Sequence, residues 1–179
     1  MGRSTRRLAS GARTYLRAPT ARDERRFLAL VRASKKLHGA WVSAPATPAA
    51  FSDYLARTRK VDREAFLVCR REDDEIVGVI NAGQIFHGPF RSAYLGFYAF
   101  LPHASAGYMT EGLRLVLRHA FGAMKLHRLE ANIQPANERS IALVKRCGFR
   151  LEGFSPRYLK IAGRWRDHER WAILAEETR

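Results

Sequence analysis

The residues Ala104-Ser105-Ala106-Gly107-Tyr108-Met109-Thr110-Glu111 stand where a run of strand formers hands over to a strongly periodic helical segment. Small side chains there let the backbone curl close to a ligand, and Gly107 can take a conformation that other residues avoid. The helix start adds unpaired N–H donors and the positive end of a dipole, so the chemistry on offer is anion binding, a phosphate above all. The same residues also read locally as a tight connection and nothing more. A second candidate is Asn137-Glu138-Arg139-Ser140, where Asn137 follows a Pro135-Ala136 turn and reads as the N-cap of a helix. The six histidines (His38, His87, His103, His119, His127 and His168) show no HExxH or Cys/His ligand spacing, so no metal is expected. Cys69 and Cys147 form no CxxC pair, and so small a number of cysteines points to a reducing compartment, the cytoplasm.

Those residues need a frame. A strand is expected at Thr14–Ala18, then a helix from Ala21 to Ser34 with Phe27, Leu28, Leu30 and Val31 on its apolar face. Thr47 is placed as an N-cap with Pro48 at the first helical position, opening a second helix that runs to Lys60. Ala65–Arg71 and Glu75–Phe86 form a hairpin about the Glu72-Asp73-Asp74 turn. After Gly88-Pro89 the run Ser92–Phe100 is apolar enough to be a strand buried on both faces. Met109, Leu113, Val116, Leu117, Ala120 and Phe121 recur at spacings of three and four, a helix whose stripe must pack on a sheet. Arg128–Gln134 is the next strand, a helix follows from Asn137 to Cys147, and Phe149–Ile161 with Arg164–Leu174 closes the chain as a hairpin. Strand–helix–strand in the middle demands a parallel crossover, so the fold class is α/β, a mixed and largely antiparallel sheet with helices on both faces.

The 179 residues suit one domain, and 46% hydrophobic with 27% charged residues argue for a packed core rather than disorder. No apolar run reaches the ~18 residues of a membrane-spanning helix, so no membrane association is expected. The 32 Lys and Arg outnumber 17 Asp and Glu, a formal charge of +15 that points to a polyanionic partner such as nucleic acid, a ribonucleoprotein or a phosphate-bearing cofactor. Six arginines and no acid fall in residues 1–22. That composition fits either a targeting presequence or a basic tail. Because Tyr15-Leu16-Arg17-Ala18 reads as strand, residues 1–11 are expected to be a flexible tail and 12–179 the single domain. Arg6 stands where a myristoylation signal needs Ser or Thr.

The element order, with Gly107-Tyr108-Met109-Thr110-Glu111, Pro135-x-Asn137-x-x-Ser140, Gly148-Phe149 and Glu152-Gly153, closely resembles the GNAT superfamily of acetyl-CoA-dependent N-acetyltransferases. Within it Tyr94-Leu95-Gly96-Phe97, Asn137-Glu138-Arg139-Ser140 and Gly163-Arg164-Trp165-Arg166-Asp167-His168 are most similar to the RimJ/RimL type, which acetylates ribosomal-protein N-termini. The resemblance covers residues 14 to 175. It implies a central pair of splayed parallel strands. It also implies that the pantetheine arm of acetyl-CoA lies along Tyr98, Ala99 and Phe100 like an added strand, with the pyrophosphate on the loop from Ala104 through Met109. In this family the loop commonly reads Gln or Arg, then Gly-x-Gly, then x-Gly or x-Ala. Here Ala104, Ser105, Gly107 and Met109 hold those positions, a departure that bears on cofactor affinity.

The resemblance further implies that Asn137 lies beside the pantetheine and that Ser140 can protonate the leaving thiolate, while both residues equally suit a plain helix start. Glu130, alternating away from Leu129 and Ala131, is the candidate base, against the ordinary fate of a strand glutamate in solvent. Glu111 reads as a first-turn residue favoured by the helix dipole. Trp41, Tyr94, Tyr158 and Trp165 are candidates to frame a peptide slot, with packing as the alternative for each, and Arg157, Arg164 and Arg166 can steer an acidic acceptor. The expected activity is direct acetyl transfer to a primary amine, foremost a protein N-terminus such as that of a ribosomal protein, by a monomer or homodimer. The alternatives are a small-molecule amine acceptor, or a catalytically weak module that places its basic surface on RNA or the ribosome.

Overall fold

Residues 6–178 are described by the computed structural model, and they open on an element that the sequence pattern does not announce. Ala9–Ser10 (β1) pairs antiparallel with Thr14–Arg17 (β2), and Leu8 and Ala9 pack against the core. Of the expected flexible tail over residues 1–11, Leu8–Ser10 are corrected to part of the fold: two strand residues are too short to show a period, yet their backbone groups pair with a neighbouring strand. Residues 1–5 lie outside the described part.

A 3-10 turn at Ala21–Asp23 leads into α1 (Glu24–Ala33), and a short helix, α2 (Lys35–His38), continues it. Thr47 caps α3 (Pro48–Arg57), its Oγ1 accepting from Ala50 N at 3.2 Å. Strands β3 (Arg63–Arg70), β4 (Ile76–Phe86) and β5 (Ser92–Ala99) form an antiparallel meander. Helix α4 (Tyr108–Gly122) crosses over to β6 (Arg128–Ile133), α5 (Glu138–Arg146) follows, and β7 (Arg150–Ile161) and β8 (Arg164–Leu174) end the sheet. The order is β1-β2-β3-β4-β5-β6-β8-β7, antiparallel throughout except for β5 and β6. This is the mixed sheet that the crossover requires.

The two faces carry separate cores. Leu113, Val116 and Leu117 of α4 and Leu143 and Val144 of α5 cover Val68, Ile80, Leu129 and Ile173 on one side. On the other, Phe27 of α1 and Phe51 and Tyr54 of α3 close over Leu67, Val79 and Phe100. Phe27 sits at the hub of that second core, its ring centroid 4.8 Å from Phe51 and 5.5 Å from Phe100. Arg17 and Asp23 are buried beside it as a bidentate pair at 2.9 and 2.6 Å, each charge satisfied by the other.

What shapes the function is where β5 and β6 part. Their parallel register runs only from Ser92↔Arg128 to Tyr94↔Glu130, although β5 continues to Ala99 and β6 to Ile133. The expectation that Ser92–Phe100 is buried on both faces therefore fails beyond Leu95: Gly96 is exposed, and Phe97, Tyr98 and Ala99 are half-buried. An apolar run records that a strand dislikes water, not that it has a neighbour on each side; here ligand space takes the place of a neighbour.

Candidate active site

The gap between the splayed strands opens into a cleft of about 800 Å³, a volume suited to a cofactor-sized ligand. Backbone supplies its floor. Phe100 N donates to Val77 O at 2.8 Å, so Phe100 and Tyr98 turn their main-chain groups toward β4. By the alternation of the ladder, Phe97 and Ala99 turn theirs into the gap. His38 on α2 reaches this edge, Nε2 lying 2.9 Å from Ala99 O, with its ring edge-on to Tyr98 at 5.2 Å. Strand-edge groups left without a partner strand are what an amide-bearing extended ligand pairs with.

At the end of the cleft lies the loop before α4. Gly107, at φ +83°, is the N-cap in the left-handed region, and Ser105 shares that region at φ +65°. His103, Ala104, Ser105, Gly107, Met109 and Thr110 line the cleft, with Lys36, Arg139 and Arg146 adding positive charge. Ala106 and Tyr108, expected in the same role, are not in that lining: Arg13 Nη2 donates to Ala106 O at 2.7 Å, and the Arg13 guanidinium carbon lies 4.2 Å over the Tyr108 ring. Phe100, also expected at the cofactor, is corrected to a core residue, because it is fully buried and its N–H is taken by β4. Glu111 accepts from Arg13 N at 2.9 Å and Thr14 N at 3.3 Å, lashing the helix start to β2. Met109 finds room over Gly78, where a side chain would collide with its thioether.

A second hollow of about 270 Å³ adjoins the cleft, lined by the loop after α2 and by residues of β4, β5, β6, β7 and β8. The two share Trp41, Val42, Phe97, Tyr98, Asn137 and Ser140, so a group reaching in from either side meets the other there. Asn137 caps α5, its Oδ1 accepting from Ser140 N at 3.3 Å, which leaves the Ser140 hydroxyl at the junction. Tyr98 also stands at the junction, its buried hydroxyl without a partner among the described residues. Burial first, and the neighbouring Tyr54 second, push its phenol well above the usual range.

Other expected residues are not brought there. Glu130 lines neither hollow; Arg128 Nε donates to it at 2.8 Å, and Arg128 also grips Glu152. Glu152 is held below the usual carboxylate range, chiefly by that bond. The candidate base is thus corrected to a member of an ion-pair chain, since the register that pairs it with Tyr94 puts it below the splay. Tyr94 stays beside it and out of the slot. Tyr158 stands behind His168, ring centroids 6.2 Å apart, and Trp165 is exposed near the hairpin tip opposite Lys160. Of the four aromatic residues proposed for the slot, Trp41 alone lines it. Asn81, Asn132 and His168 line it unannounced. Strand periodicity puts each on a sheet face, but the splay, which periodicity does not report, is what leaves that face open.

Residues 13–150 match the family model described as acetyltransferase (GNAT) domain. The chain belongs to that family. RimJ of Mycobacterium smegmatis, solved in complex with CoA-disulfide, is 31% identical and superposes with a TM-score of 0.84 over 92% of this chain and 83% of that one. The [ribosomal protein uS5]-alanine N-acetyltransferase of Escherichia coli is 38% identical over 106 residues, 59% of this acetyltransferase and only 55% of the relative. Spermidine N-acetyltransferase of Vibrio cholerae, solved with CoA and spermine, shares the fold at 21% identity, with a TM-score of 0.78 over 92% of this chain and 97% of that one. This acetyltransferase therefore shares one architecture with enzymes named for quite different amines. Among its described residues no helix is long and apolar enough to cross a membrane, and no group of three or more His, Cys, Asp or Glu is placed to hold a metal.

Proposed function

We propose that the chain moves the acetyl group of acetyl-CoA directly to the α-amine of a protein N-terminus, of the kind ribosomal proteins present. The observation that carries this reading is the lining of the smaller hollow, which contains no Asp, Glu, Lys or Arg. A polyamine carries several positive charges and needs carboxylates; a peptide N-terminus brings one amine, and its amide groups find Asn81, Asn132 and Gln134. In the cleft lining Lys36, Arg139 and Arg146 outnumber Glu138, an excess of positive charge that suits the cofactor's phosphates and disfavours a polycation.

The residues present fit acetyl-CoA, which supplies an activated thioester. The outward main-chain groups of Phe97 would hold its pantetheine, and the N–H groups about Gly107 its pyrophosphate; Ala99 O is already engaged by His38 Nε2. Ala99 N–H faces the developing oxyanion, and Ser140 donates a proton to the departing sulfur. Alignment of amine and thioester at the junction is the larger contribution to rate. The net charge of +15 supports an encounter with acceptors held on a ribonucleoprotein.

Thiol release from acetyl-CoA, followed with an alanine-initiated ribosomal-protein peptide, the same peptide N-formylated, and spermidine, tests the reading. The free peptide is expected to exceed spermidine at least tenfold in kcat/KM and the formylated one to be inert. Equal or faster acetylation of spermidine overturns it.

A further inference from the structure

His168 is 3% exposed, yet it lies in the wall of the smaller hollow together with Asn132, Gln134 and Ser140. Its Nδ1 is 2.9 Å from Arg166 O. A carbonyl can only accept, so Nδ1 carries the hydrogen and the lone pair of the neutral ring resides on Nε2. Nε2 has no protein partner among the described residues. Histidines buried for structural reasons use both nitrogens or present their carbons; this one keeps an acceptor free at the wall of a hollow that opens onto the transfer point. Asn132 has the same character, its buried Oδ1 having no partner among the described residues. These are two acceptors in one wall, unmatched by donors of the protein, and a primary amine brings the missing donors.

We infer that His168 is the proton acceptor for the attacking amine, with Asn132 Oδ1 orienting a second N–H; the inference rests on acetyl transfer to an amine as proposed above. As the nitrogen lone pair forms the C–N bond to the thioester carbonyl carbon, an amine proton passes to His168 Nε2. The C–S bond then breaks and the electron pair leaves on sulfur, which is protonated by Ser140 or water. The proton on His168 passes to solvent, Ser140 recovers a proton from solvent where it was the donor, and the products are the amide and free coenzyme A. The surroundings suit a neutral base. Tyr158 packs against the ring and Ser155 is its register partner, both on β7, while Asn132 on β6, Gln134 just after it, Trp41 and Ser43 from the loop after α2, and Asn81 and Tyr98 line the same hollow, none of them charged. The acids flanking it on β8 are turned away: Asp167 accepts from Arg157 N at 2.7 Å and Glu169 from the Trp171 indole at 2.9 Å.

The test compares wild type with His168→Gln and Asn132→Ala. Acceptors are the alanine-initiated peptide and, independently, ethylamine, so that failure of the protein-acceptor reading leaves the second arm intact. In His168→Gln, kcat is expected to fall about 100-fold or more on whichever amine is used, the scale of a lost general base. KM for acetyl-CoA is expected to stay within twofold, the acid limb of kcat to vanish, and added imidazole to restore rate in His168→Gly. Asn132→Ala is expected to raise KM for the amine more than it lowers kcat. A turnover-free measurement stands beside these: in protein carrying ¹⁵N-labelled histidine and saturated with coenzyme A, either amine should move the His168 Nε2 resonance and leave Nδ1 in place. An unchanged acid limb in His168→Gln, or an Nε2 resonance that responds to neither amine, overturns the assignment.

Discussion

Met109 breaks the small-residue pattern of the phosphate loop, and Gly78 on β4 is what makes room for it. A Cβ built on Gly78 lies inside van der Waals contact of the Met109 sulfur, 3.1 Å from its Cε and 2.8 Å from Tyr98 O. Gly78→Ala sets two effects against each other. Removing glycine from a strand favours folding by about 0.5–1 kcal/mol through the unfolded chain, whereas an extra methyl in a full site costs about 1–3 kcal/mol. The second wins because part of the collision is with main chain: the thioether can swing away, but the Tyr98 carbonyl belongs to the β4–β5 ladder. Met109 lines the cleft, so its displaced side chain moves into ligand space. We expect Gly78→Ala to lose about 1–2 kcal/mol and to weaken coenzyme A binding roughly tenfold. Met109→Ala alone empties a half-buried site and costs about 1–2 kcal/mol, below the range for full burial. Together the two should cost about 1 kcal/mol or more less than their sum, because the methyl then occupies vacated space; the Tyr98 contact persists, so the rescue is incomplete. Urea melts give the stabilities and calorimetric titration with coenzyme A the affinities. Additive losses within the ~0.5 kcal/mol expected of independent sites would refute the reasoning.

Three further outcomes follow from the same geometry. Ser140→Ala should lower kcat by roughly 10- to 100-fold, with the circular dichroism spectrum and KM for acetyl-CoA preserved; a modest figure is expected because a thiolate already leaves readily, and an unchanged kcat excludes the acid role. Gly112 packs α4 onto β3, a Cβ there falling 2.7 Å from Val68 Cγ1, so Gly112→Ala should cost about 1–2 kcal/mol in a urea melt despite the better helix propensity of alanine, and a stabilised variant would contradict the packing. Asp23→Asn leaves Arg17 buried without its counter-charge and should cost about 3–5 kcal/mol. Burial alone would raise the Asp23 carboxyl, but the Arg17 and Thr20 bonds outweigh it and hold it below the usual range. A depressed carboxyl stabilises the fold above the unfolded value of ~3.9, and that contribution disappears as pH falls through the folded value. The urea midpoint of the wild type should therefore drop below about pH 4, and Asp23→Asn should lose that part of the drop.

The chain's own pattern determined most of the scaffold. Periods of two and of three to four, set between Gly and Pro breaks, locate four of the five helices, missing the short Lys35–His38 turn, and seven of the eight strands, and the strand–helix–strand order forces the parallel pair. The curled backbone before α4 was legible as well, because small residues and Gly107 bear on backbone conformation, a local property. Asn137 was legible as a cap for the same reason. Local pattern did not reach Ala9–Ser10, whose pairing depends on a neighbouring strand rather than on its own periodicity.

Tertiary structure decided everything that hangs on how far β5 and β6 stay together. Pairing stops at Tyr94↔Glu130. At that point Tyr94 and Glu130 pair across the strands, half-buried and with Glu130 held by Arg128, and beyond it Phe97, Ala99, Asn132 and His168 border open space. Alternation says which side of a strand a residue takes, and it is silent on whether a neighbour covers that side. Glu130 was the candidate base because it alternates away from Leu129 and Ala131, while His168, one histidine among six, gained its distinction only when one ring nitrogen met the Arg166 carbonyl and the other met none among the described residues. The backbone conformation of the loop before α4 was therefore readable from local sequence, and the side chains that border the open space had to wait for the third dimension.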